Sequence, residues 1–310
     1  ERIDESIIYF EKAIEFAPDD SSIYYNLGIT LRELNRTDDA IKNFDKAILL
    51  DPNNGELYFH LGEAYKAKKY HSKALFALEK AYSINPDIAF LLGSIVNTKM
   101  DLCLWDDLND NLNFLTRKIS NNEEAVTPFP LLALMDDPKI QLKVSHIYPN
   151  LNYPYNDDMS PIKPYLNHKK IRLGYFSADF HNHPTMHLMA ELFELHDKNK
   201  FELVAFSFGP DQKDKWRKRV VKSFYKFIDV SLKSDLEISK LSREMEIDIA
   251  INLGGYTQSS RTGVFANLAA PVQVNFLGFP GTMGAKYIDY IVADHSLITS
   301  ENENHFSEKI

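Results

Sequence analysis

Cysteine is nearly absent from this chain. Cys103 is the single one in 310 residues, which excludes an internal disulfide framework and a cysteine-rich zinc site. Set in the apolar run LCLW, it is expected to be a small buried hydrophobe on a helix. No run of about 18 uncharged apolar residues occurs, so no membrane span is expected. The opening residues, ERIDESIIYF, lack the basic start and apolar core of a secretory signal. The first residue is not Met, so a preceding segment could have carried one. Positive charge is in deficit: 35 Lys and Arg face 44 Asp and Glu, for a net charge of −9. An acidic surface repels phosphate backbones and argues against nucleic acid as a partner. What is present is ordinary globular composition, 44% hydrophobic and 25% charged, in a chain long enough for two domains with real cores.

The first part of the chain repeats. Pro18, Pro52 and Pro86 are spaced at 34 residues, the tetratricopeptide period. Leu27-Gly28 recurs as Leu61-Gly62, and Ser6, Ala40 and Ala74 share one phase, as do Phe10, Phe44 and Leu78. Gly28 and Gly62 let paired helices approach, Phe44 and Leu78 fill the space left by the small residues, and each proline ends a unit. One such unit cannot bury its apolar face, so the units must stack. Residues 1–18 supply only the second helix of a unit, so the chain is expected to begin within a repeat of a longer product. Asn26, Asn35 and Asn54 could present amides to an extended peptide in a concave groove. Capping and turn roles compete, above all for Asn54 in the DPNN turn.

The repeats are placed at residues 1–88 and a helical cap closing the array at 89–148, with Trp105 as a large anchor in a continuing helix. Residues 149–168, rich in Pro, Asn and Tyr, read as a linker partly packed through its tyrosines. From 169 to 310 the pattern alternates. IRLGYFS, FELVAFSF, FYKFIDV, DIAINLG, PVQVNFLG and YIDYIVAD read as strands, with the helical stretches TMHLMAELFELH, DKWRKRVVKSF, DLEISKLSREM and SRTGVFANLA between them. Alternation of this kind predicts a mainly parallel sheet with helices on both faces, and such sheets bind ligands beyond the carboxyl ends of their strands.

Three loops at those ends are therefore candidates. SADFHNHPTMHLM carries Asp179, His181, His183 and His187. Pro184 can open a helix, which puts His183 just before a helix N-terminus. A neutral imidazole there can accept a proton from a hydroxyl or orient one. A metal site on the H-x-H-x3-H spacing and plain capping or core histidines are the alternatives. NLGGYTQSSR offers Gly254 and Gly255 for close approach, with Asn252, Tyr256 and Thr257 beside them, or it is a tight turn. LGFPGTMGA has glycines at every third position, able to aim N–H groups at a phosphate, and matches neither the dinucleotide fingerprint nor a P-loop. Asp248 and Arg261 default to capping and surface roles, and KDKWRKRVVK to a solvated basic helix face.

At these loops the sequence closely resembles the family of eukaryotic O-GlcNAc transferase, the plant protein SPINDLY and their bacterial relatives, glycosyltransferase family 41, with a bacterial flavour. The matching stretches are IRLGYFSADFHNHPTMHLM, DIAINLGGYTQSSR, APVQVNFLGFPGTMGAKYIDYIVAD and the closing FSEKI, and the repeats fit the family architecture. The resemblance implies a repeat solenoid followed by the first Rossmann-like lobe of a GT-B catalytic domain. It implies inverting, metal-independent transfer of a sugar from a nucleotide sugar to Ser or Thr of proteins guided by the repeats. UDP-GlcNAc is the first-choice donor, with fucose and hexose donors open. The family's NHP histidine maps onto His183, its PGT motif onto Pro280, Gly281 and Thr282, and Asn252 and Thr257 onto the neighbouring loop. His187 and Tyr256 complete the expected cleft. The second lobe, which supplies most donor contacts, lies outside the chain, so little activity is expected of these residues alone. Protein acceptors, a nucleotide sugar and a cytoplasmic location are expected. The alternative is a repeat scaffold with an inactive lobe.

Overall fold

The computed structural model describes residues 2–34, 36–166 and 168–310. It forms two compact units, Glu1–Met135 and Asp136–Ile310.

The first unit is helical: α1 (Arg2–Phe16), α2 (Ser21–Glu33), α3 (Thr37–Leu50), α4 (Gly55–Ala67), α5 (His71–Ile84), α6 (Leu91–Asp101), α7 (Leu108–Ser120) and α8 (Pro128–Leu134). The α2–α3 and α4–α5 hairpins are tetratricopeptide repeats, closed by the expected small-on-large contacts. A Cβ on Gly28 would sit 2.6 Å from the Phe44 ring, and one on Gly62 2.7 Å from Leu78, while Ala40 and Ala74 are fully buried. Asp20 caps α2 by accepting the Ser22 N–H, and Asn54 caps α4 by accepting the Glu56 N–H at 3.2 Å. Asn54 is thus held in the turn, with its Nδ2 donating to Asp51. Asn26 is exposed on α2, and Asn35 lies outside the described residues. His60 on α4 is enclosed by Tyr25, Phe44 and Phe59, with Arg32 Nη1 3.3 Å from its Nδ1. Burial first, then the Arg32 charge, lowers its pKa to about 4.

Two readings of the cap need correction. The helix does not continue through LCLW. α6 ends at Asp101, Cys103 takes a left-handed φ of 56°, and the chain turns. Cys103 is exposed rather than buried, and Trp105 is 51% exposed, so it anchors no core. The apolar spacing there never becomes a helix face, because the chain reverses inside it.

The second unit begins with α9 (Pro138–Asn152), opened by Asp137, whose carboxylate accepts the Lys139 and Ile140 N–H groups. Residues 138–148, expected in the cap, are therefore part of this unit. His146 Nδ1 lies 3.0 Å from the Gly284 carbonyl, and the Tyr148 ring meets Tyr256 edge-on at 5.1 Å. Residues 153–166 run along the same body. Tyr287 donates to the Tyr153 carbonyl, Asn156 Nδ2 to Asn267 Oδ1, and Tyr165 to the Arg243 carbonyl.

Six strands follow among the described residues: β1 (Ile171–Ser177), β2 (Phe201–Ser207), β3 (Lys226–Asp229), β4 (Ile249–Asn252), β5 (Val272–Phe276) and β6 (Tyr290–Val292). Between them lie α10 (Pro184–Leu195), α11 (Lys215–Val221), α12 (Asp235–Glu244) and α13 (Gly263–Ala266). All the strands pair in parallel, in the order β3-β2-β1-β4-β5-β6. The order reverses between β1 and β4, and the crevice beyond their carboxyl ends is where doubly wound sheets take ligands. β1 is buried on both faces. Phe176 stacks on Phe206 at 4.4 Å and meets Phe265 of α13 on one side. Tyr175 packs with Phe193 of α10 and with Phe224 on the other.

Candidate functional site

The loop after β1 holds His183 in place through the start of α10. Pro184 occupies the first turn, where its missing N–H costs nothing, and His183 is the N-cap residue with extended backbone angles. Its Nδ1 accepts the Thr185 N–H at 3.3 Å and lies 3.1 Å from the Thr185 hydroxyl and 3.7 Å from Asp179 Oδ2. The side chain is 40% exposed, so the ring reaches solvent rather than being sealed in packing. Burial pushes the Asp179 carboxyl above its usual range, against the opposing pull of His183 and His181.

This cap decides which nitrogen is free. An Nδ1 that accepts a backbone N–H carries no proton, so the neutral ring bears its hydrogen on Nε2. In that tautomer Nε2 donates: it can hold a hydroxyl oxygen or an oxygen gaining negative charge. For Nε2 to accept a proton, the hydrogen must sit on Nδ1, and the ring must release the Thr185 N–H and rotate so that Nδ1 donates to Asp179.

The other histidines of the loop differ. His187 stacks on Trp216 at 4.3 Å and its Nε2 lies 2.9 Å from Asn182 Oδ1. His181 is 5.8 Å from the His183 ring, and its buried Nδ1 has no hydrogen-bond partner among the described residues. No group of three metal-ligating side chains gathers among the described residues.

The loops after β4 and β5 are locked to one another. Asn252 is buried at the end of β4, and its Oδ1 accepts the N–H groups of Gly254 and Gly255 at 3.1 and 2.9 Å. Gly255 has φ 59°, and a Cβ there would lie 2.3 Å from Phe279. A Cβ on Gly278 would strike the Leu253 carbonyl at 2.1 Å. Both glycines are therefore required by loop-on-loop contact. The buried Tyr256 hydroxyl donates to the Met283 carbonyl, and burial raises its pKa. Its group is engaged in the fold. Thr257 donates to the Gly254 carbonyl at 2.8 Å and is half-buried. Pro280 is exposed, whereas Gly281 and Thr282 are buried.

Thr282 led to a residue that sequence reading missed. Its hydroxyl donates to Glu308 Oε2 at 2.7 Å and accepts the Ser307 and Gly284 N–H groups. Glu308 Oε1 takes the Met283 N–H at 2.6 Å. A buried carboxylate thus fastens the PGT loop from 26 residues further on. The only sequence signal was FSEKI, read as a motif without a role. Asn252 and Asn275, register partners on β4 and β5, each leave one amide atom unpaired in burial, Nδ2 and Oδ1 respectively.

Asp248 lies at the opposite, amino end of β4. Its Oδ2 accepts the Arg172 N–H and His168 Nδ1, both at 2.8 Å, and His168 Nε2 lies 3.0 Å from Glu246. The two carboxylates, Glu246 foremost, raise the His168 pKa. Arg261 pairs with Asp235 at 2.6 Å. Both are structural ties, and Asp248 lies at the end of the sheet opposite to His183.

The structure brings Asn252, Tyr256, Thr257, Pro280, Gly281 and Thr282 into two interlocked loops. His183 stands on the neighbouring β1 loop, where Leu253 N–H donates to the Phe176 carbonyl and joins the two strand ends.

Comparison with known proteins agrees with this architecture. Tetratricopeptide models match residues 21–54, and 1–20 with 55–88. An Arabidopsis thaliana protein named as a probable UDP-N-acetylglucosamine–peptide N-acetylglucosaminyltransferase, SEC, is 32% identical over 234 residues, 70% of this chain and 24% of that protein. The Caenorhabditis elegans protein named for the same activity is 34% identical over 145 residues, 46% of this chain and 13% of its own. The chain thus spans about a quarter or less of these relatives. A solved O-GlcNAc transferase mutant of Thermobaculum terrenum superposes with TM-score 0.61 over 99% of this chain and 53% of its own, at 22% identity, and shares the fold. The family model for glycosyl transferase family 41 matches residues 140–310, more than half of the chain, and it is to this family that the chain belongs.

Proposed function

We propose that this chain forms the acceptor side of a protein O-glycosyltransferase. It presents His183 and the β4 and β5 loops to a Ser or Thr hydroxyl and a nucleotide sugar, UDP-GlcNAc first among donors, with no metal required. The repeats hold the polypeptide acceptor, and the reaction takes place in the cytoplasm. Family membership and the names of the relatives support the reaction class. The observation that carries the site is the exposed His183 ring, pinned by α10 at the crevice edge of a sheet whose order reverses there.

In an inverting displacement the acceptor oxygen bonds to the anomeric carbon as the bond to the diphosphate breaks, and the hydroxyl proton passes to a phosphate oxygen of the departing diphosphate or to solvent. Orientation of that hydroxyl is worth as much as the proton transfer itself. With Nδ1 accepting from Thr185, His183 Nε2–H orients the acceptor oxygen. Asp179 would be needed only if the ring took up the proton.

The test incubates the protein of the complete reading frame with labelled UDP-GlcNAc and GDP-fucose. His183→Ala is expected to reduce transfer by about a hundredfold or more, with a loss of about 1 kcal/mol of stability from the missing cap. Asp179→Asn is expected to have the smaller effect. Label reaching protein from GDP-fucose alone would replace the donor. If neither label is transferred and neither donor is hydrolysed, the protein is a repeat scaffold and the transferase reading fails.

A further inference from the structure

A cluster of exposed positive charge in this acidic chain lies beside the candidate site and belongs to none of its three loops. A cavity of about 450 Å³ between α10 and α11 is lined by Glu194, Lys198, Lys215, Lys218, Arg219 and Lys222, together with Ser223. We propose that this groove docks an acidic, Asp- and Glu-rich segment of a polypeptide. It rests on the reading above only for taking that polypeptide to be the acceptor.

Three observations carry this. First, the lysines there have no carboxylate against them, unlike Lys42 with Asp39, Lys66 with Glu63, Lys68 with Asp38 and Lys99 with Asp107. Among the described residues no carboxylate pairs with Lys198, Lys215, Lys218 or Lys222, and all four are exposed. Four like charges around one cavity raise its potential and repel one another until an anion arrives.

Second, the groups beyond the lysines that would single out a phosphate are already occupied. Forked recognition of phosphate uses an arginine, and the one arginine of the groove is occupied: Arg219 Nε and Nη2 each donate to Glu194 at 2.7 Å. The N–H groups at the start of α11 are closed as well, since Asp214 Oδ1 accepts those of Trp216 and Arg217. The Trp216 ring is stacked by His187 and also met by Lys215 and Arg219, so it offers no open platform for a base. What remains is a row of exposed point charges.

Third, the spacing fits an extended chain. Lys215, Lys218 and Lys222 recur along one side of α11 over about 10 Å. An extended peptide covers that length in about three residues. The row also starts at the site. Asp214 Oδ2 accepts the Asn182 N–H at 2.7 Å, and Trp216 stacks on His187, both from the His183 loop. A polypeptide with its hydroxyl at His183 and its flank on α11 would run its acidic residues along these lysines.

The test measures binding of a fluorescent Glu-rich peptide and its Gln counterpart to the full chain by anisotropy, with no sugar donor present. The Glu peptide is expected to bind about tenfold more tightly and to weaken as salt rises from about 50 to about 500 mM. Lys215→Glu, Lys218→Glu and Lys222→Glu together should abolish the preference. Lys198→Glu, in the turn after α10, should reduce it without touching α11, which guards against a misfolded triple variant. Equal binding of the two peptides, or a preference that survives both variants, overturns the proposal. So does displacement of the peptide by inorganic triphosphate at lower concentration than by free Glu peptide, which would make this a phosphate site. Binding needs no glycosyl transfer. Equal binding of the two peptides by the parent protein with intact transfer defeats the docking groove alone, and a preference for the Glu peptide without transfer defeats only the enzymatic reading.

Discussion

The two units use the same residue types for opposite ends. In the repeats, glycine serves helix-to-helix packing: Gly28 and Gly62 have ordinary helical angles and simply leave room for Phe44 and Leu78. In the α/β unit, Gly255 and Gly284 adopt left-handed backbone, and Gly278 lies against a carbonyl, so that loops can touch loops. Histidine divides in the same way. His60 is a neutral core ring, His168 a clasp between two carboxylates, and His183 a half-exposed cap. A repeat can tolerate change because each contact recurs in the next unit. The loops at the sheet edge have no second copy.

That contrast can be broken by substitution, with the two tryptophans as reporters, Trp105 in the first unit and Trp216 in the second. The largest effect is expected from Gly255→Ala, which adds left-handed strain to a clash with Phe279. A loss of about 4 kcal/mol or more should appear in the Trp216 unfolding transition. A change below about 1 kcal/mol would show that the interlocked loops yield.

The next effect is set by pH. His60 has its pKa lowered to about 4 from an ordinary 6.5, so the unfolded chain takes up the proton first on acidification. Stability of the repeats is expected to fall between pH 6.5 and 4 by about 3 kcal/mol, and His60→Phe should flatten that slope. Gly28→Ala comes third, at about 1–3 kcal/mol, since the Phe44 ring can shift. An effect as large as that of Gly255→Ala would erase the distinction between packing glycines and loop glycines. His168 is last and opposite in sign. Its pKa is raised, so its contribution is complete below 6.5 and fades as pH climbs through the raised value. Melting curves of His168→Gln and the parent protein should therefore converge at alkaline pH. Parallel curves from pH 6 to pH 9 would dismiss the clasp.

Much of this was open to inspection in the residues. The 34-residue period and its small-on-large pairs identify the repeats, and the six apolar segments separated by helical stretches identify the sheet. Pro184 places His183 at a helix start because proline tolerates that position and few others. What local pattern could not show is where a chain reverses. Cys103 and Trp105 have helical spacing, yet a left-handed residue ends the helix before the pattern can be used. Tertiary partners were equally hidden. Nothing near Tyr256 indicates that its hydroxyl serves Met283, and nothing near Thr282 points 26 residues onward to Glu308. The basic stretch around α11 reads as a solvated face until Lys198 and Glu194 arrive from α10.

The Glu308 fastening has a kinetic consequence. The N–H groups of Met283, Gly284 and Ser307 are all held by the Thr282 and Glu308 side chains rather than by a regular ladder. Their exchange with deuterated solvent should therefore be concerted: a fluctuation that frees the closing residues 307–310 releases the loop after β5 at the same moment. Opening of that loop is in this sense timed from a distant stretch of chain, and a partner that grips one would slow the other.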